Sequence, residues 1–117
     1  MKNEFEKAMH ITSELLSYCH MRGGSDFHLD ISVAQNNASQ FNIKATPVRI
    51  SDGELAQLKK RLDVARQPGV EQEFWGLSGE SETSSEIGLV GMMVDKAIVE
   101  YDVTKFILSI TLIRKNL

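Results

Sequence analysis

His10 and Glu14 stand four residues apart, so on a helix an imidazole and a carboxylate share one face and could hold a metal or exchange a proton. Two ligands do not make a metal site, which takes at least three protein donors. His20 is ten residues from His10, roughly 280° around the helix, and cannot join them. The pair therefore reads as solvated helix polarity. His28 and Asp30 recur at strand spacing on a wet face, opposite Lys44 or Asn42, where surface pairing is the expectation. Ser78, in Gly76-Leu77-Ser78-Gly79, lacks both the glycine spacing and the preceding strand of a nucleophile elbow. Cys19 falls at an apolar helical position, and a buried thiol is a poor nucleophile. Lys59-Lys60-Arg61 is a short basic run on a helix and reads as a solvated face. No acid–base or nucleophile constellation emerges.

The composition bounds the remaining classes. A chain of 117 residues is about one domain, here taken as 1–117. Its 13 basic and 16 acidic residues give a net charge of −3, which argues against a binder of nucleic-acid phosphates. No apolar run approaches the ~20 residues that span a bilayer. The start, Met-Lys-Asn-Glu-Phe-Glu-Lys, has no apolar core of the secretory kind. A lone cysteine suits a reducing compartment, so a cytoplasmic location is expected.

Periodicity supplies the elements. Asn3 to Met21 reads as a helix whose inward stripe is Phe5, Ala8, Met9, Thr12, Leu15, Leu16 and Cys19. Ile11 and Tyr18 form a narrower second stripe at the core edge or a cleft border. Gly23 and Gly24 stop the helix. Asp26 to Ala34 and Ser39 to Ala45 alternate cleanly and, joined by Gln35-Asn36-Asn37-Ala38, form an antiparallel hairpin. Pro47 ends the second strand. Ser51-Asp52-Gly53-Glu54 is a capping box, with Ile50 and Leu55 at staple spacing, for a helix reaching about Ala65. Val70 to Leu77 suggests a short helix with Trp75 at the core edge, and Ser78 to Ser85 a polar loop.

The chain is organised around Thr83 to Tyr101. Thr83 caps a helix with Glu86 at box spacing; Ser84 or Ser85 would serve as well. Ile87, Val90, Val94 and Ala97 share a face, with Met93 beside them. Gly88 and Gly91 each cost roughly 1 kcal/mol inside a helix and point to close packing. The helix is expected to run directly into a strand from Ala97 to Tyr101. Asp102 to Lys105 turn, and Phe106, Leu108, Ile110 and Leu112 face inward on the last strand. The expected fold is an α+β two-layer sandwich, a mixed or antiparallel four-stranded sheet with helices on one face.

That order resembles the histidine-kinase-like ATPase domains, the GHKL or Bergerat fold of sensor kinases, gyrase and anti-sigma-factor kinases. Ser13 to His20 resembles the family's first helix, Ser51 to Leu58 its acidic helix start, and Ile87 to Asp95 its Gly-rich segment and the helix after it. The resemblance implies an Asn for magnesium on the first helix, where Ser17 or Tyr18 stands. It implies an Asp and a Gly-x-Gly turn for adenine, where Thr46-Pro47-Val48-Arg49-Ile50 stands. It implies a Gly-x-Gly phosphate turn, where Ser85-Glu86-Ile87-Gly88 keeps one glycine. Glu86 at the phosphate position adds a like charge, costing about 4 kcal/mol per contact at an effective dielectric near 20.

The expectation is a degenerate, non-catalytic module with no cofactor and no Mg-ATP. It would bind a protein partner or itself, by the last strand as an edge or by the wet sheet face, and neither nucleic acid nor a membrane. The alternative is residual nucleotide or small-ligand binding in a cleft bordered by Tyr18, Thr46, Trp75 and Gly88, with Arg49 compensating and Glu86 nearby.

Overall fold

A computed structural model gives the structure of the chain and describes residues 3–67 and 87–115. The short helix expected over Val70 to Leu77, Trp75, the Ser78–Ser85 loop and the Thr83 cap with Glu86 lie outside those residues.

Helix α1 spans Glu4–His20, and the Asn3 side chain accepts from Glu6 N at its start. Its buried face is Ala8, Ile11, Thr12, Leu15, Tyr18 and Cys19, with Glu14 on the flank. The expected stripe is therefore corrected by a rotation of roughly 50° about the axis. Phe5 and Met9 turn out to solvent, while Ile11 and Tyr18 enter the core. The two apolar stripes overlap on the helix, and packing on the sheet chose the one that brings both β-branched and aromatic bulk inward. Gly23, at φ +99°, makes the turn after the helix, and Gly24 N donates to Cys19 O.

Strands β1 (Asp26–Gln35) and β2 (Ala38–Thr46) form the expected hairpin. Asn36 and Asn37 both have positive φ, as a two-residue type I′ turn demands. One extra residue on β1 between Ser32 and Gln35 makes a bulge, where Ala34 N donates to Ser39 Oγ. Helix α2 (Asp52–Leu62) carries the full capping box: Glu54 N donates to Ser51 Oγ and Ser51 N donates to Glu54 Oε1. It stops at Leu62, short of Ala65, because Asp63 leaves helical φ/ψ and sends the chain toward Met92, whose carbonyl accepts from Gln67 N.

Helix α3 is Ile87–Gly91, and β3 (Lys96–Asp102) and β4 (Ile107–Lys115) follow. The helix does not continue through Val94 into the strand. At Gly91 its backbone packs against α2, where an added Cβ would collide with Arg61 O. The chain then turns, so Met93 and Val94 are buried beyond the helix end, and Ala97 packs half-buried against the core from a strand. Phe106 is likewise corrected. Its φ of +57° places it in the β3–β4 turn rather than in the last strand.

The sheet order is β1-β2-β4-β3, and every pairing is antiparallel. The last strand is therefore central, not an edge, because β4 pairs with both β2 and β3. Apolar rows cross the whole sheet in register: Phe27-Ala45-Leu108-Tyr101, Leu29-Ile43-Ile110-Val99 and Ile31-Phe41-Leu112-Ala97, with Leu29 at the β1 edge left exposed. The helices cover this face, and the opposite face carries the polar residues, so the molecule is an α+β two-layer arrangement.

Arg114 continues the inward row of β4 and is 1 % exposed. Its Nε and Nη2 donate to both Glu4 carboxylate oxygens at 3.0 and 2.9 Å, and Nη1 donates to Met93 O at 2.6 Å. These hydrogen bonds hold the Glu4 carboxyl below the usual glutamate range, against an opposing effect of partial burial. Stability from this pair is thus complete above the unfolded glutamate pKa and lost as pH falls through the lower folded value. Glu4→Ala should cost about 2–3 kcal/mol in urea unfolding, because it removes the carboxylate that accepts from two nitrogens of a buried guanidinium, with the lower end set by the partial exposure of Glu4. Arg114→Met, which removes the charge and keeps volume, should cost less, and both variants should flatten the loss of stability in acid.

Gly53 of α2 and Gly91 of α3 should respond oppositely to alanine. Gly91→Ala meets backbone on α2 and should destabilise by about 3 kcal/mol. Gly53→Ala, with only Ser51 Oγ 4.0 Å from the new Cβ, should stabilise by about 0.5–1 kcal/mol. Thermal melts of the two variants check both signs.

Candidate functional site

The C-terminal turn of α1 faces the length of α2 across a cleft of about 110 Å³, lined by Tyr18, Arg22, Glu54, Gln57, Leu58 and Arg61. Arg22 follows Tyr18 by four residues, so its guanidinium folds back over the phenol ring, 3.7 Å from the centroid. Its Nη1 donates to Tyr18 O at 3.2 Å. Its Nε lies 3.4 Å from Glu54 Oε2, an ion pair and not an aligned hydrogen bond. Burial pushes the Tyr18 phenol up from its ordinary value, with the Arg22 charge opposing. Glu54 is held low, first by the backbone hydrogen bond at Ser51 and further by Arg22. Arg61 lies on the other side, and a Cβ on Gly88 would stand 3.5 Å from its Nη2. No carboxylate among the described residues pairs with Arg61.

The expected cleft residues are only partly assembled. Tyr18 is 3 % exposed, and Gly88 meets the same cleft through Arg61. Thr46 is elsewhere, its hydroxyl donating to Lys105 O at 3.3 Å. Arg49 stacks on Phe106 at 4.4 Å and touches the cleft only through its backbone, where its N–H donates to Arg22 O. Trp75 and Glu86 lie outside the described residues. Arg22 and Gln57 were not singled out by sequence, and Arg61 was read only as part of a solvated basic run. The one available signal was the i,i+4 spacing of Tyr18 and Arg22, which runs past the helix end. Glu54 was visible only as a cap.

The remaining polar candidates sort by face. His10 Nε2 is 3.8 Å from Glu14 Oε1, but Glu14 is buried and not solvated, because it flanks Ile11 and Tyr18 on the inward side of α1. No group of three potential ligands occurs among the described residues. On the outer sheet face His28 registers with Lys44 and Asp30 with Asn42, as alternation required. Two shallow depressions of about 480 and 370 Å³ flank Lys44 there, toward Glu100 and Ser109 on one side and His28 and Asp30 on the other.

Cys19 has no exposure, and burial pushes its thiol up to about 11. Its reaction with a disulfide reagent at pH 8 should run at the rate of unfolding, becoming fast only in denaturant; rapid modification of the native chain would contradict the placement. No protein-family model, curated protein or solved structure matches the chain.

Proposed function

We propose that the chain is a non-catalytic interaction or regulatory domain on a degenerate histidine-kinase-like ATPase scaffold. Its architecture of helix, hairpin, helix, helix, hairpin, with helices on one sheet face, is compatible with that family. The observation that carries the reading is the filled cleft between α1 and α2. A ligand site usually offers about 300–1,000 Å³, whereas the described residues lining this cleft enclose about 110 Å³. An adenine would have to displace Arg22 from both the Tyr18 ring and Glu54. Arg49, expected to compensate, stacks on Phe106, and Thr46, expected at the cleft border, donates to Lys105 O. A cytoplasmic setting suits the lone buried cysteine.

One observation favours a second reading, in which the cleft takes a small anion. Arg61 faces it with no carboxylate partner among the described residues, beside a glycine. Thermal melts with Mg-ATP, ADP and pyrophosphate separate the two. A ligand at a hundred times its dissociation constant adds about 2.7 kcal/mol and raises the midpoint by several degrees. No shift is expected for any of them. A shift of that size that disappears in Arg61→Ala would replace the first reading with the second.

A further inference from the structure

Strand β3 is an edge: among the described residues only β4 pairs with it. Its sequence from Lys96 to Glu100, Lys-Ala-Ile-Val-Glu, complements itself when laid antiparallel on a second copy about Ile98. Lys96 then stands opposite Glu100 of the second copy, Glu100 opposite its Lys96, and Ile98 opposite Ile98. These three side chains are exposed on the outer face, Ile98 at 42 %. Ala97 and Val99 lie on the other face, packed against the core. In the same register each meets the other of the second copy, so the inward rows of the two sheets would become continuous.

We propose that the chain associates with a second copy of itself through β3, joining two four-stranded sheets into one of eight strands. Directly opposed unlike charges and an apolar pair favour this register, and like charges in the same places oppose it. The unpaired backbone groups of an edge strand supply the ladder. The other edge is less suited. A bulge between Ser32 and Gln35 interrupts β1, and bulges bend an edge away from further pairing. The dimer follows from the strand alone and holds whether or not the cleft takes a ligand, so the nucleotide melts neither support nor overturn it.

A single strand pair buries less than a standard interface of 1,200–2,000 Å², so the affinity is expected in the micromolar range. Sedimentation equilibrium at about 0.1 mM and low salt tests the pairing. The wild-type chain should dimerise, and more weakly as salt rises. Lys96→Glu and Glu100→Lys should each weaken the dimer about tenfold or more, by placing like charges opposite each other twice. Mixed together, the two single variants should pair with one another. The double variant Lys96→Glu with Glu100→Lys should recover the homodimer, with circular dichroism showing all variants folded. A dimer indifferent to the single reversals, or a double variant that does not recover, overturns the proposal. A wild-type chain that stays monomeric overturns it too, and leaves the edge to a strand from a different protein.

Discussion

Arg114 sits where the pattern of β4 calls for another leucine. Leu108, Ile110 and Leu112 precede it on the same inward row, and the guanidinium follows them into the core. A buried charge is tolerated only when paired and hydrogen-bonded. Its partners arrive from two distant points, the start of α1 through Glu4 and the turn after α3 through Met93 O. The planar fork accepts only one arrangement of those partners. Beside it Arg66 reaches Asp95 and Lys115 O, and Asp95 accepts from Lys115 N. The opposite end closes by different means: Tyr101 Oη donates to Val48 O, and Val48 N donates to Phe106 O. Three apolar rows fill the space between. The rows give most of the burial, but they would tolerate sliding; the polar ends fix where along the sheet α1 sits.

The setting of α1 then decides the cleft. With Ile11, Leu15 and Tyr18 inward, the next residue in phase is Arg22, one turn beyond and just past the helix end. It falls on the Tyr18 ring and within reach of Glu54. Glu54 is held in place by its own reciprocal capping bonds with Ser51. The same carboxylate therefore starts α2 and neutralises Arg22, which leaves Arg61 to set the charge of what space remains. The position of Arg22 in the cleft thus follows from the phase of α1.

The strands were legible because alternation has one solution: His28, Asp30, Asn42 and Lys44 could not share a face with Phe41 and Ile43. The Ser51–Glu54 box was legible because its chemistry is local. The phase of α1 was not, since two stripes of similar apolar content lie about 50° apart and only the sheet chooses between them. The end of α3 was not, since the contact that stops it is to Arg61 O, on another helix. Phe106 was misplaced because alternation cannot register a residue with positive φ. The neighbour of the last strand was equally out of reach. A hairpin fixes β3 against β4, but nothing local says that β4 also meets β2.

The outer sheet face, which no other described element covers, limits how this molecule can grow. Its cross-strand rows are His28-Lys44-Ser109-Glu100 and Asp30-Asn42-Thr111-Ile98, with Thr111 Oγ1 donating to Asn42 Oδ1. A second layer there would have to desolvate Lys44, Asp30 and Glu100 together, and each buried charge must find a partner. Stacking another sheet or helix on this face is therefore costly. Extension sideways is not, because an added strand leaves those side chains in water and asks only that charges at the seam be opposite. The bulge makes the far end of β1 the less suited seam. The better seam is β3, where Lys96 and Glu100 have opposite signs and stand equally far from Ile98.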